Sequence, residues 1–197
     1  MSTLPVTMER MDIEFLICAD AGEWEQWLAA HHAETTEIWV RIAKKGAPER
    51  SVTITETLDG ALCFGWIDSH RRRLDEHHYL QRYSPRRPGS PWSQVNVAKA
   101  EALIAAGRMR EPGFAAVAAA QADGRWATAY ERQRTARTPA ELADALGAEP
   151  DLRRTYDGLA RSARYGLYLP ILKARTPAER ATRVRQATET LRAARTS

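Results

Sequence analysis

ALCFGWIDSHRRRLDEHHYLQRYSPRRPGSPWSQVN, residues 61–96, decides how this chain is read. It holds Cys63, Trp66, Asp68, Arg82, Arg86, Trp92 and Asn96, and it joins a strand-patterned first half to a helix-patterned second half. Trp66-Ile67-Asp68 reads as extended, residues 69–76 as a charged turn, and 78–84 as a strand alternating Tyr79, Gln81 and Tyr83 against Leu80 and Arg82. A β-hairpin over 66–84 with a long, basic connection is therefore expected. After Pro85 the character changes. Ser90 before Pro91 pairs a capping residue with proline at the first helical position, which predicts a helix from Trp92 to about Ala106, stopped by Gly107.

Upstream, residues 1–10 read as a loose arm. Residues 11–18 read as a strand with Ile13, Phe15 and Ile17 on one side. Asp20 and Glu23 form a capping signal for an amphipathic helix over 21–32. Residues 37–43 alternate again, with Ile38, Val40 and Ile42 inward and Trp39 and Arg41 opposite. Thr53 and Glu56 make a second capping box, for a helix over about 54–65. Downstream, Pro112 opens a helix that ends near Gly124, and Trp126 and Tyr130 suggest another across 125–135. Thr138-Pro139-Ala140-Glu141 and Thr176-Pro177-Ala178-Glu179 are near-identical helix starts. Val184, Ala187, Leu191 and Ala194 stripe the last helix. The fold class expected is α+β: a small, mainly antiparallel sheet with helices over 11–90, and an α-helical half over 91–197 packed on it as one cooperative unit.

Composition sets bounds. With 44% hydrophobic and 27% charged residues, 197 residues are enough to bury a core without disulfides or metals. No apolar run approaches the roughly 18 residues that span a bilayer. The N-terminus lacks a basic region followed by an apolar stretch, so the chain reads as cytoplasmic, with Cys18 and Cys63 as reduced thiols. A net charge of +4 permits an anionic partner without demanding one.

Several rare residue types recur in order: Lys44-Lys45, ALCFGWID at 61–68, LDE at 74–76, RYSPR at 82–86, the Trp92-Ser93 and Val95-Asn96 pairs, and GRM at 107–109. In these the chain resembles the YdeI/OmpD-associated family, also called the bacteriocin-protection family, from about Glu23 to Trp126. Members carry a lysine–arginine element followed by ETR near the end; here Lys173 and Arg175 are followed by TPAERATR. The resemblance implies tolerance to antimicrobial peptides or similar toxins, and no particular reaction.

Two residues are candidates for catalysis. Cys63 would need a nearby cation or histidine to become a thiolate, and it equally suits a small buried core position between Leu62 and Phe64. Asp68 suits a general base, a ligand-orienting carboxylate, or a structural partner of Arg82 or Arg86. Arg71, Arg72, Arg73, Arg82, Arg86 and Arg87 form a basic cluster with interleaved aromatics, but Asp68, Asp75 and Glu76 dilute it and no nucleic-acid motif accompanies it. Nucleic acid is therefore not the expected main partner. His31-His32 and His77-His78 lack zinc-ligand spacing, and there is no glycine-rich phosphate loop, so neither metal nor cofactor is expected.

Three function readings remain. In one, the protein binds an anionic or amphipathic small molecule or peptide in a pocket lined by Lys44, Trp66, Asp68, Arg82, Arg86, Trp92 and Asn96, with arginine making bidentate contacts and tryptophan stacking. In another, the same pocket works as a small enzyme of a toxin-resistance or secondary-metabolite pathway, through Asp68 as acid–base or Cys63 as nucleophile. A weak nucleic-acid binder is the third reading. The oligomeric state is left open.

Overall fold

The strand order β1-β2-β3-β5-β4 places the central hairpin at one edge of a five-stranded sheet. The computed structural model describes residues 6–7, 13–49, 51–131, 133 and 135–195. Most of the expected loose arm at 1–10, and Met11 and Asp12 of the expected first strand, lie outside them. The strands are β1 (Val6–Thr7), β2 (Phe15–Leu16), β3 (Ile38–Ala43), β4 (Trp66–Arg73) and β5 (His78–Pro85). β1–β2, β3–β5 and β4–β5 pair antiparallel, while β2–β3 is parallel. The fold is α+β as expected, and the sheet is mixed. A parallel pair needs a crossover, and α1 (Ala21–His31) supplies it between β2 and β3.

The first strand is shorter than its pattern. Among its described residues only Phe15 and Leu16 pair, and both are buried rather than alternating. β3 follows its pattern, with Val40 and Ile42 fully buried. α1 starts where its cap predicts: Asp20 Oδ1 accepts from Gly22 N at 2.9 Å and Glu23 N at 3.1 Å, and Glu23 returns a bond from Ala19 N at 2.8 Å. α2 (Ile54–Cys63) opens on the full capping box of Thr53 and Glu56. Trp24 Nε1 donates to the Thr57 carbonyl at 2.9 Å, which ties α1 to α2.

The hairpin departs from expectation. β4 runs on through Arg71, Arg72 and Arg73, so the arginines are strand residues, not a connection. The turn is the short Leu74–His77 segment, closed by Asp75 Oδ1, which accepts from His77 N and His78 N, each at 2.7 Å. An edge strand that faces water needs no apolar alternation and is commonly charged. Its pattern therefore reads as a turn.

α3 (Gln94–Ala105) begins later than predicted. Its cap is Ser93, whose Oγ accepts from Asn96 N at 3.2 Å, and Trp92 stands outside the helix. α4 (Glu111–Ala122) follows. Among the described residues of 125–135 no helix forms; they are turns and irregular backbone, with an isolated bridge between Ser93 and Tyr130. The remainder is α5 (Ala140–Gly147), α6 (Pro150–Gly158), α7 (Arg161–Lys173) and α8 (Pro177–Arg195).

By its packing the chain divides into two compact units: residues up to Ser90 with Ala98–Asp123, and Pro91–Val97 with Gly124 onward. In the first, α4 docks on the end of α2 through glycines. A Cβ at Gly113 would lie 2.3 Å from the Cys63 carbonyl oxygen. Gly65 has φ +71° and would bring a Cβ 2.7 Å from the Pro112 carbonyl oxygen, so both approaches require a bare Cα. The second unit has its own core, in which Leu142, Leu146, Leu152, Tyr156, Ile171 and Leu191 pack α5 through α8 together.

Candidate functional site

The β4–β5 ladder decides where the candidate side chains point. Trp66 pairs with Pro85 and Asp68 with Tyr83. Directly opposed residues share a face, and neighbours along a strand alternate. Trp66, Asp68 and Tyr83 therefore share the face covered by α1 and α2. Trp66 is buried edge-on to Trp27, with ring centroids 6.2 Å apart. Tyr83 is fully buried beside Trp24 and donates its hydroxyl to Thr57 Oγ1 at 2.7 Å. Burial pushes the Tyr83 phenol well above its ordinary value.

Asp68 is half-buried, and loss of solvation raises its carboxyl above the ordinary aspartate value, with the charges of Arg86 and Arg71 opposing that rise. Beyond Asp68 the register shifts by a bulge before Arg71. Gln81 bridges the irregularity: its Nε2 donates to the His70 carbonyl at 3.1 Å, and its Oε1 accepts from Arg71 Nε at 3.3 Å. The Arg71 guanidinium lies 4.3 Å from the Tyr79 ring centroid. Asp68, Arg71, Tyr79, Gln81 and Arg86 thus form one polar neighbourhood along the hairpin. Arg71 belongs to it although sequence reasoning grouped it only with the basic cluster.

Arg82 is elsewhere. It pairs with Trp39 across the ladder and forms an ion pair with Glu37, whose carboxyl it holds below the usual carboxylate range. The expected convergence of Asp68 with Arg82 is corrected by the period-two alternation of the strand. No local signal marks Glu37 as the partner, because it is 45 positions away in sequence. Lys44 is committed to structure, its Nζ donating to the carbonyls of Asp75 at 2.8 Å and Glu76 at 3.0 Å. The same turn holds His78, buried, with Nδ1 3.1 Å from both Asp75 carboxylate oxygens.

Cys63 ends α2 fully buried, its carbonyl accepting from Arg110 N at 3.1 Å. Burial raises its thiol to about 11, while Arg108 pulls the other way. At neutral pH it is a protonated core thiol, without the thiolate that a nucleophile needs. Trp92 and Asn96 belong to the second unit. Trp92 is buried against Trp126, with centroids 4.9 Å apart, and Asn96 lies in the first turn of α3. Because Trp92 precedes the helix, the shared helix face expected for this pair does not form.

Two open cavities are lined by other residues. One of about 490 Å³ lies between α1 and the start of α4, against Phe64 and Arg110. Another, of about 530 Å³, lies where α5 meets the start of α8, among Glu141, Arg175, Arg180 and Arg185. Sequence reasoning noted Arg175 but not the arginines spaced through the next two turns. No group of three or more metal-capable side chains occurs among the described residues, and no described helix is long and apolar enough to cross a membrane.

An α+β unit with a charged edge hairpin and a separate four-helix unit is the class of protein these observations define. Residues 16–116 match a family described as a domain of unknown function, DUF8412, and the match covers just over half of the chain, so the chain belongs to that family. Residues 135–194 match the family described as Bacteriocin-protection, YdeI or OmpD-Associated. The resemblance read from sequence is thus found, in the helical tail rather than in the motif-rich stretch that suggested it. No curated protein and no solved structure matches the chain.

Proposed function

We propose that the protein is a non-catalytic protection protein that lowers sensitivity to a bacteriocin or similar toxin by binding an anionic or amphipathic small molecule or peptide. The observation that carries this reading is the match of residues 135–194 to the bacteriocin-protection family. The buried, protonated Cys63 supports a binder over a thiol enzyme. On the sheet side the ligand-facing groups would be Asp68, Arg71 and Arg86, in which an acid flanked by two cations suits a zwitterionic or bidentate polar group. The reading places the protein in the cytoplasm, where free thiols persist.

The test is growth of a sensitive host challenged with bacteriocin or polymyxin, with and without the chain. Protection lost by Asp68→Asn or Arg86→Ala, with the fold intact, supports the sheet-side site. Unchanged sensitivity on expression of the wild-type chain overturns the protection reading.

A second reading has one observation in its favour. The Asp68 carboxyl is raised by desolvation and faces two cations, as acid–base residues often do. Turnover of a toxin by the purified protein, abolished by Asp68→Asn, would establish it.

A further inference from the structure

We propose that the outer edge of β4 takes up an acidic, extended segment of a partner protein, added to the sheet as a further strand. β4 is an end strand, hydrogen-bonded to β5 alone in the order β1-β2-β3-β5-β4. Its other side presents the row of unpaired N–H and C=O groups that an edge strand offers to an incoming chain. Residues 69–73 are all exposed, so no described element covers that run.

Charge selects the partner. Arg71, Arg72 and Arg73 follow one another, and successive strand residues point to opposite faces. Consecutive carboxylates on an added strand alternate in the same way, so each meets a guanidinium on its own face. Arg71 is steadied by neutral groups: its guanidinium lies 4.3 Å from the Tyr79 ring centroid, and its Nε donates to Gln81 Oε1 at 3.3 Å. Its charge also acts on Asp68. Among the described residues, no ion pair or side-chain hydrogen bond engages Arg72 or Arg73. Of the two acids in the turn, Asp75 is committed to the backbone of His77 and His78, and neither pairs with these arginines. The bulge before Arg71 leaves the end of the strand as its regular segment, and the arginines stand there. Two copies joined edge to edge would set one arginine triplet against another. A single-stranded nucleic acid would need aromatic platforms, and the Tyr79 ring is already covered by Arg71. A lipid surface would need apolar side chains to insert, and residues 69–73, SHRRR, supply none.

Arg72, Arg73 and the open backbone carry this interaction, not the Asp68, Arg71 and Arg86 groups of the protection reading, and its test does not use tolerance, so either can fail alone. Fluorescence anisotropy on the full chain at about 0.15 M salt would use a blocked, labelled peptide with three consecutive glutamates between pairs of threonines. One control replaces the glutamates by lysines. A second is the glutamate peptide N-methylated throughout its centre, which keeps the charge and loses the backbone donors. Oligothymidylate and phosphatidylglycerol vesicles are the remaining probes. The glutamate peptide is expected to bind at a single site, with the lysine and N-methylated peptides weaker by about tenfold or more. Arg72→Glu together with Arg73→Glu should weaken the glutamate peptide by about tenfold or more. Both side chains are exposed, so the melting temperature should hold, and the peptide controls read the same claim on the unaltered chain. Absent binding of the glutamate peptide, equal binding of the N-methylated one, undiminished binding by the double variant, or binding of the oligonucleotide or vesicles in its place would overturn the proposal.

Discussion

Asp68 and Arg82 stand on opposite faces of one two-stranded ladder. Asp68 pairs with Tyr83 toward the helices, while Arg82, one residue before Tyr83, pairs with Trp39 and reaches Glu37. An aspartate and an arginine next to each other in the hairpin thus serve separate environments. Asp68 answers to Arg86 and Arg71, and Arg82 answers to Glu37.

The two residues should therefore be energetically independent. Asp68→Asn and Arg82→Ala are expected to add within about 0.5 kcal/mol in a double-mutant cycle read by urea unfolding. The Arg82 and Glu37 substitutions should couple instead, by no more than about 1 kcal/mol, since both groups are partly exposed. A larger coupling between Asp68 and Arg82 would contradict the register.

Tyr83 and Thr57 form a buried hydroxyl pair. Thr57 Oγ1 already donates to the Thr53 and Ile54 carbonyls and accepts from Tyr83. Tyr83→Phe removes that donor and should cost about 1–2 kcal/mol. A melt unchanged within error would show that the pair contributes nothing.

The thiols give a pH dependence whose sign is fixed. Burial raises Cys63 from 9.0 to about 11 and Cys18 from 9.0 to about 12. Their contribution to stability is present below pH 9 and is lost as pH rises through the folded values, because the unfolded thiols ionise first. Stability should fall between pH 9 and 11, and Cys63→Ala should flatten part of that fall. Iodoacetamide at pH 8 should label neither cysteine until denaturant unfolds the chain; rapid native labelling of Cys63 would revive the nucleophile reading.

Asp68 behaves in the same sense at lower pH. Its carboxyl is raised above 3.8, so its favourable contribution is present below 3.8 and is lost as pH climbs through the folded value. Asp68→Asn should raise the urea midpoint at pH 7 and leave it nearly unchanged at pH 3. Destabilisation at pH 7 would mean that the ionised carboxylate is held by partners stronger than Arg86 and Arg71.

Gly113 is a test of the α2–α4 contact. A Cβ there would meet both the Cys63 carbonyl oxygen and Met109 Sδ at 2.3 Å. Gly113→Ala should cost about 1–3 kcal/mol by overpacking, despite alanine's better helix propensity. A neutral or stabilising outcome in thermal unfolding would show that α4 can shift freely.

Local chemistry alone was enough for the caps and the buried strand. Asp20 with Glu23, and Thr53 with Glu56, set helix starts because each satisfies backbone donors within a few residues. β3 was legible because one side of it is buried, which imposes alternation. The two TPAE starts show where local reading stops. Thr176 caps α8 by accepting from Glu179 N, whereas Thr138 bonds the Tyr156 hydroxyl at 2.7 Å and leaves α5 without a side-chain cap.

What the sequence determined by itself, then, was the α+β class, the helix caps and the central hairpin, since these follow from contacts between near neighbours. Tertiary structure decided the rest. β4 is a strand only because β5 supplies its hydrogen bonds, for Arg71, Arg72 and Arg73 carry no apolar period. α7 holds Pro170 in its interior because Tyr168 and Ile171 are buried in the second core, and packing outweighs one lost donor. The partition of Asp68 from Arg82, and the gathering of Glu141 with Arg175, Arg180 and Arg185, depend on register and on residues far apart in the chain. Such distances leave no local pattern, because the free energy that selects them is released only when whole elements pack.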